Sequence, residues 1–267
     1  MIPQQKLREK ARDRGLALDV IEKDYALGWI LVGLSYSSLK NLLIFKGGTA
    51  LSKIYFPLEW RISEDLDFTL QNESTTKEIS EILVEELPQI ISEKSKGLKL
   101  RYREDPYVTE KFLRVRAQYF GPITTNSVKI EVTIEQFIGD FKVIQASKHY
   151  DYPNFSLSCY TLETILAEKL RAILQRGHLR DYYDAWKLLK ENKVENARVK
   201  ELFLEKCKAK NVEFDNINQF FPENIVETLK PYLKIGLTRM SSEELPPLSV
   251  WIKELKGLLD NITLEPD

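Results

Sequence analysis

The sequence predicts an α+β fold in which a mixed sheet with flanking helices precedes an all-α, helical C-terminal domain. Three observations support this prediction. Apolar and polar residues alternate in short segments before residue 140, apolar residues recur at helical spacing after residue 160, and a turn-forming segment, Asp151-Tyr152-Pro153-Asn154, lies between the two patterns. We therefore place an α/β domain with N-terminal helices at residues 1–154 and a helical domain at residues 155–267.

The amino-acid composition limits the classes of protein to which this chain can belong. Of the 267 residues, 43% are hydrophobic and 30% charged, which is typical of a globular protein with a sizeable core. The formal net charge of −1 means that any nucleic-acid surface must be a local basic patch. The longest apolar run, Tyr25 to Leu34, is too short to span a bilayer. Cys159 and Cys207 fit no zinc spacing, and two isolated thiols suit the cytoplasm, where we expect the protein.

The first half is predicted to contain both helices and strands. Two helices come first, the second over about residues 19–39 with a capping box at Asp19 and Glu22. A short apolar strand at 42–46 leads through a glycine turn into a helix that ends before Pro57. The remaining predicted elements are a strand at 65–70, a helix at 75–92, and strands at 98–103, 111–120 and 127–136.

The second half is predicted to be helical throughout. Its apolar residues recur at helical spacing, without the alternation that marks a strand. The predicted helices span 161–175, 179–190, 197–209, 217–233 and 248–259.

A glycine pair follows the first predicted strand. Gly47 and Gly48 allow the backbone to approach an anion closely at the start of a helix. Thr49 adds a hydroxyl there, and Lys53 lies one turn further on the same side. The GxxxxGK[ST] spacing of a Walker A loop is absent. Gly-Gly alone usually marks only a turn, and it gains weight here from the aspartates that follow it.

Two aspartates alternate with apolar residues in the next strand. Asp65 and Asp67 share one face of that strand, whereas Glu64 falls on the other. The same parity places Glu131 on the polar face of its own strand. Because Mg²⁺ prefers oxygen ligands, we expect these three carboxylates to bind Mg²⁺ or Mn²⁺ beside a nucleoside triphosphate on the glycine turn.

Basic side chains are predicted on the same polar faces. They could bind phosphate or a polyanion. Antiparallel sheets also commonly show mixed charges on a solvated face, and we favour that interpretation for each residue taken singly. The residues are Lys99, Arg101, Arg103, Arg114 and Arg116.

Lys169 lies within the apolar stripe of the predicted helix 161–175. Burial of an unpaired ammonium group is costly, so the side chain either extends past the helix edge or lines a cleft and meets phosphate. Helical phase alone leaves both options open. Asp181 and Asp184, on the next helix, have the spacing of a solvated face, and His178 receives no role.

Four blocks in this order resemble the AbiEii/AbiGii toxin family of nucleotidyltransferases, which includes MenT-type toxins. Glu22-Lys23-Asp24-Tyr25 accompanies them. The blocks are FKGGTAL at 45–51, RISEDLDF at 61–68, LAEKL at 166–170 and RDYYD at 180–184. The combination carries the resemblance, since each block alone is common.

The resemblance implies a DNA polymerase β-type nucleotidyltransferase core, an NTP substrate and Mg²⁺. It assigns Gly48 and Thr49 to the triphosphate and the paired aspartates to the metal. It also adds Lys169, with either Asp181 or Asp184, to the catalytic set. Further candidates for NTP binding are Lys46, Gly47, Lys53, Ser63 and Arg180.

The expected function is nucleotide transfer from an NTP to a tRNA 3′ end by a toxin that stops translation. Such a toxin belongs to a type IV-like toxin–antitoxin or phage abortive-infection system and has a separately encoded antitoxin. The alternatives are transfer to a protein hydroxyl or a small molecule, and a non-catalytic NTP- or RNA-binding module.

Overall fold

The computed structural model describes residues 1–71, 75–146 and 149–265. The chain divides into two compact units. The first comprises Met1–Phe137 and Phe141–Cys159, and the second comprises Ile138–Asp140 and Tyr160–Asp267. Within the described ranges, no helix is both long enough and apolar enough to cross a membrane.

A mixed sheet is the centre of the first unit. The strands found among the described residues are β1 (Leu43–Lys46), β2 (Asp65–Leu70), β3 (Lys99–Tyr102), β4 (Tyr107–Val108), β5 (Phe112–Phe120), β6 (Thr125–Thr133), β7 (Phe141–Gln145) and β8 (Ser156–Tyr160). Their spatial order is β3-β5-β6-β2-β1-β8-β7, with β4 also paired to β5. The central β2 runs antiparallel to β1 and parallel to β6.

The mixed sheet with flanking helices confirms the predicted fold class, but three strands escaped prediction. β4 has only two residues, both exposed, and β7 is largely exposed, so neither shows the buried alternation that identifies a strand. β8 follows the predicted break at residues 151–154 and pairs in parallel with β1.

Helices flank the sheet in the first unit. Helix α2 is buried on almost every side, which explains its long apolar run. The described helices are α1 (Gln4–Arg14), α2 (Leu18–Tyr36), α3 (Gly47–Ala50), α4 (Thr76–Glu81) and α5 (Leu87–Ser95). A π-helical turn, Leu51–Tyr55, continues α3, and another, Ile82–Glu86, joins α4 to α5.

The capping box predicted at Asp19 and Glu22 is wrong. Helix α2 begins one residue earlier, after Ala17, and has no side-chain cap. The Glu22 carboxylate instead accepts hydrogen bonds from the backbone N–H groups of Ile123, at 2.6 Å, and Thr124, at 2.9 Å. This long-range contact satisfies a buried carboxylate that local sequence had assigned to the helix end.

The second unit is helical, as predicted, except for one helix. The span 217–233 is interrupted by 3₁₀ turns at Ile217–Phe220 and Lys230–Tyr232. Pro222 and Pro231 lie in this stretch, and proline cannot donate the backbone hydrogen bond of a helix interior. The described helices are α6 (Leu162–Arg176), α7 (Leu179–Glu191), α8 (Asn196–Ala209), α9 (Ile225–Leu229), α10 (Leu233–Gly236) and α11 (Leu248–Asp260).

Candidate active site

The paired aspartates lie on one face of β2. Leu66 and Phe68 are buried in the core, whereas Asp65 and Asp67 remain partly exposed, as strand parity predicts. Glu64 lies just before the strand and is also partly exposed, with an oxygen 3.5 Å from Lys23 Nζ. Ser63 is partly exposed in the same short segment.

Strand register brings further charged residues to the aspartates. Asp67 lies opposite Lys46 on β1 and opposite Glu131 on β6. Asp65 lies opposite Lys129 on β6. Glu131 therefore occupies the neighbouring strand at the level of Asp67, on the polar face where parity had placed it.

Cations neutralise two of these carboxylates. Lys129 Nζ lies 3.0 Å from Asp65 Oδ2, and Arg114 Nε lies 2.7 Å from Glu131 Oε1. Among the residues that the structure describes, no group of three His, Cys, Asp or Glu side chains could hold a metal. Mg²⁺ is commonly held by one or two carboxylates together with substrate phosphates and water. Asp65 and Asp67 therefore fit a metal that arrives with a triphosphate, rather than one enclosed by protein ligands alone.

The glycine turn passes close to the second aspartate. Gly47 has φ = +76°, a left-handed conformation that favours glycine, and a Cβ atom there would lie 2.7 Å from Asp67 Oδ2. Gly48 follows it as a buried residue of α3. A phosphate-compatible backbone and a candidate metal ligand thus lie side by side.

Replacing Gly47 with alanine is expected to lower both stability and nucleotidyl transfer. The left-handed backbone should cost about 1–2 kcal/mol, and the new methyl group must displace the Asp67 carboxylate. Urea unfolding and transfer of labelled NTP would measure the two effects. Gly15→Ala is the matched control, because Gly15 has φ = +61° with open space around a Cβ atom. An equal loss of activity in both variants would contradict the proposed contact.

The side chains of Thr49 and Lys53 both lie in the protein interior. The Thr49 hydroxyl donates a hydrogen bond to the main-chain oxygen of Asp65. Lys53 is buried, with Nζ 2.6 Å from Asp24 Oδ1 and donating to the Asp24 carbonyl. Both side chains are therefore bonded within the protein, which contradicts their expected contact with triphosphate.

Asp24 and Tyr150 are residues of this network that sequence reasoning left without a role. The Tyr150 hydroxyl donates to Asp24 Oδ2 at 3.0 Å. Burial lowers the pKa of Lys53, although Asp24 opposes that shift. Asp24 could have been singled out because it lies within the Glu22–Tyr25 block, but no neighbouring residue identifies Lys53 as its partner.

Lys169 is held between both candidate aspartates in the second unit. Its Nζ lies 2.8 Å from Asp181 Oδ1 and 2.9 Å from Asp184 Oδ2. The side chain of Lys169 is 12% exposed, and those of Asp181 and Asp184 are 1% and 0% exposed. The solvated-face interpretation of the two aspartates is therefore wrong: both are buried partners of Lys169.

Arg176 completes this ion-pair cluster. Its Nε lies 2.8 Å from Asp181 Oδ2. Burial alone would raise the pKa of Asp181, but Lys169 and Arg176 outweigh burial and lower that pKa to about 2. The cluster holds the Asp181 carboxylate ionised in the protein interior and fixes the ammonium group of Lys169 between two carboxylates. Arg180, on the same helix as Asp181, donates from Nε to the carbonyl of Gly236 at 2.8 Å.

The chain carries the sequence pattern of a nucleotidyltransferase family. The sequence profile of the nucleotidyl transferase AbiEii toxin family, type IV toxin–antitoxin system, matches residues 29–251. The chain therefore belongs to the AbiEii family of nucleotidyltransferase toxins. Membership of this family implies an NTP substrate, a divalent metal and a cognate antitoxin.

Solved structures share this fold. The nucleotidyltransferase toxin MenT4 from Mycobacterium tuberculosis H37Rv superposes with a TM-score of 0.70 at 18% identity, over 98% of this chain and 90% of MenT4. JHP933 from Helicobacter pylori gives a TM-score of 0.55 at 19% identity, over 92% of this chain and 93% of that protein. A search of curated protein sequences gave no match.

Proposed function

We propose that this enzyme transfers a nucleotide from an NTP to the 3′ hydroxyl of a tRNA in a Mg²⁺-dependent reaction, and that this modification stops translation. The observation that carries the proposal is the close approach of the Gly47 turn to the Asp67 carboxylate, which leaves no room for a Cβ atom at Gly47. It combines a backbone suited to phosphate with an oxygen ligand suited to Mg²⁺.

In the proposed reaction, the acceptor hydroxyl attacks the α-phosphorus of the NTP. The α–β phosphoanhydride bond breaks and pyrophosphate leaves. Asp65 and Asp67 would hold Mg²⁺, whose charge stabilises the attacking and leaving oxygens. The backbone at Gly47 and Gly48 would position the triphosphate, an arrangement that lowers the barrier by orienting the reacting groups.

Glu131 and Lys46 lie next to Asp67 in register and extend the proposed site. Glu131 would accept the proton of the attacking hydroxyl, or add a metal ligand, on exchange of its ion pair with Arg114. Lys46 would add positive charge for phosphate. We assign Thr49 and Lys53 to positioning of β2 and the glycine turn, because both side chains are buried.

The family resemblance adds Lys169, Asp181 and Asp184 to the catalytic set. We propose that the two aspartates position the ammonium group of Lys169. Without such partners, the long lysine side chain would populate several rotamers. Two carboxylates at 2.8 and 2.9 Å restrict it from different directions. In this proposal both aspartates have a role, rather than one of them.

Incubation with each labelled NTP, Mg²⁺ and total tRNA tests the proposal. The wild-type enzyme is expected to label tRNA, and Asp65→Asn/Asp67→Asn is expected to abolish labelling. Asp105→Asn, at an exposed loop position, is the matched control. Labelled protein without labelled RNA would favour the protein-modifying alternative, whereas Mg²⁺-independent NTP binding without transfer would favour a non-catalytic module.

A further inference from the structure

A cavity of about 480 Å³ lies within the second unit, where the start of α7 meets α9 and α10. Its size is within the range of sites for small molecules, roughly 300–1,000 Å³, and suits a single nucleotide. No acidic residue is among the described residues that line it. The polar and aromatic lining residues are Arg176, His178, Arg180, Thr228 and Tyr232.

The two arginines of this cavity are held in place by other groups. Arg180 donates from Nε to the Gly236 carbonyl, and Arg176 donates from Nε to Asp181 Oδ2, both at 2.8 Å. Arg176 is nevertheless 53% exposed. A guanidinium group fixed in this way loses little conformational freedom when it binds phosphate.

Tyr232 presents an exposed aromatic ring at the same cavity. It is 62% exposed and belongs to the 3₁₀ turn Lys230–Tyr232, in which Pro231 restricts the backbone. Lys230 and Lys234 flank it and are also exposed. An exposed ring among cations is typical of surfaces that bind single-stranded RNA, where bases stack on the ring and phosphates meet the cations.

We propose that this cavity binds an unpaired nucleotide of the acceptor RNA, with its base stacked on Tyr232 and adjacent phosphates on the two arginines and on the flanking Lys230 and Lys234. The inference rests on the proposed function in that RNA is the acceptor. An acidic segment of a protein partner could pair with the same cations, but it would not account for an exposed aromatic ring beside a nucleotide-sized cavity.

Binding of a fluorescent single-stranded RNA to the full chain, without NTP, tests this proposal. Tyr232→Ala is expected to weaken binding about 10-fold to 100-fold, the range for loss of one base–aromatic stack. Tyr232→Phe should bind like the wild type, since it keeps the ring. Tyr36→Ala is the matched control, because Tyr36 is 48% exposed on the first unit and should leave binding unchanged.

The salt dependence of binding gives a second measurement. Lys230→Ala/Lys234→Ala should reduce the slope of log K against log salt by about 1.4, because each contact with single-stranded RNA contributes about 0.7. Lys208→Ala, an exposed position on α8 that does not flank Tyr232, should leave the slope unchanged. Circular dichroism and thermal unfolding would confirm that each variant is folded.

Two outcomes would overturn the proposal. One is unchanged RNA binding by folded Tyr232→Ala. The other is a folded Tyr232→Ala variant that still binds RNA but no longer binds the purified antitoxin, which would make this surface a protein interface. Asp67→Asn should still bind RNA while failing to transfer nucleotides, so failure of this inference and failure of the proposed function are distinguishable.

Discussion

Replacement of Asp67 with asparagine is expected to slow nucleotidyl transfer about 10³-fold, equivalent to about 4 kcal/mol of transition-state stabilisation. Asparagine keeps the shape of the side chain but removes the negative charge proposed to hold Mg²⁺. Asp67 lies between Lys46 and Glu131 in register and beside Gly47, so the substitution alters charge at the centre of the proposed site. Single-turnover transfer of labelled NTP at saturating Mg²⁺ would measure the loss.

Two comparisons make the Asp67 result specific. Asp105→Asn should retain full activity, because the residue is exposed outside the site. Thermal unfolding of Asp67→Asn should stay close to that of the wild type, since the carboxylate is only partly buried. A folded Asp67→Asn enzyme with more than a tenth of wild-type activity would exclude the proposed metal-binding role.

Replacement of Lys169 with methionine is expected to destabilise the protein by about 3–5 kcal/mol, the usual cost of removing one partner from a buried ion pair. Methionine keeps the apolar part of the side chain but removes the ammonium group that lies 2.8 Å from Asp181 Oδ1 and 2.9 Å from Asp184 Oδ2. Urea unfolding would measure the loss. Lys208→Met, at an exposed position, should change stability by no more than about 0.5 kcal/mol.

The pH dependence of that loss separates buried charge from lost packing. The folded pKa of Asp181 is lowered to about 2, so its ionised form stabilises the wild type above the unfolded pKa of about 4, and this contribution disappears as pH falls towards 2. The deficit of Lys169→Met should therefore be largest above pH 4 and shrink on acidification, because protonation neutralises the carboxylates that have lost the Lys169 ammonium group. A deficit that is constant between pH 7 and pH 3 would point to packing instead.

The sequence predicts those parts of the proposed site that depend only on neighbouring residues. Parity within β2 placed Asp65 and Asp67 on one face, and parity within β6 placed Glu131 on a polar face. Helical phase places Lys169 in an apolar stripe, where its ammonium group needs either a charged partner or access to water. The span 217–233 is the opposite case. Its apolar spacing predicts one helix across Pro222 and Pro231, and this prediction misses the turn that exposes Tyr232.

The sequence by itself determined the faces: which side chains of a strand or helix point together, and which residue types are available for phosphate and metal. Only the tertiary structure decided the partners. It paired Lys53 with Asp24 instead of phosphate, joined Lys169 to both Asp181 and Asp184, and set Glu131 level with Asp67. The physical reason is that side-chain direction follows from backbone geometry over a few residues, whereas an ion pair or a strand register depends on segments that meet only when the chain folds.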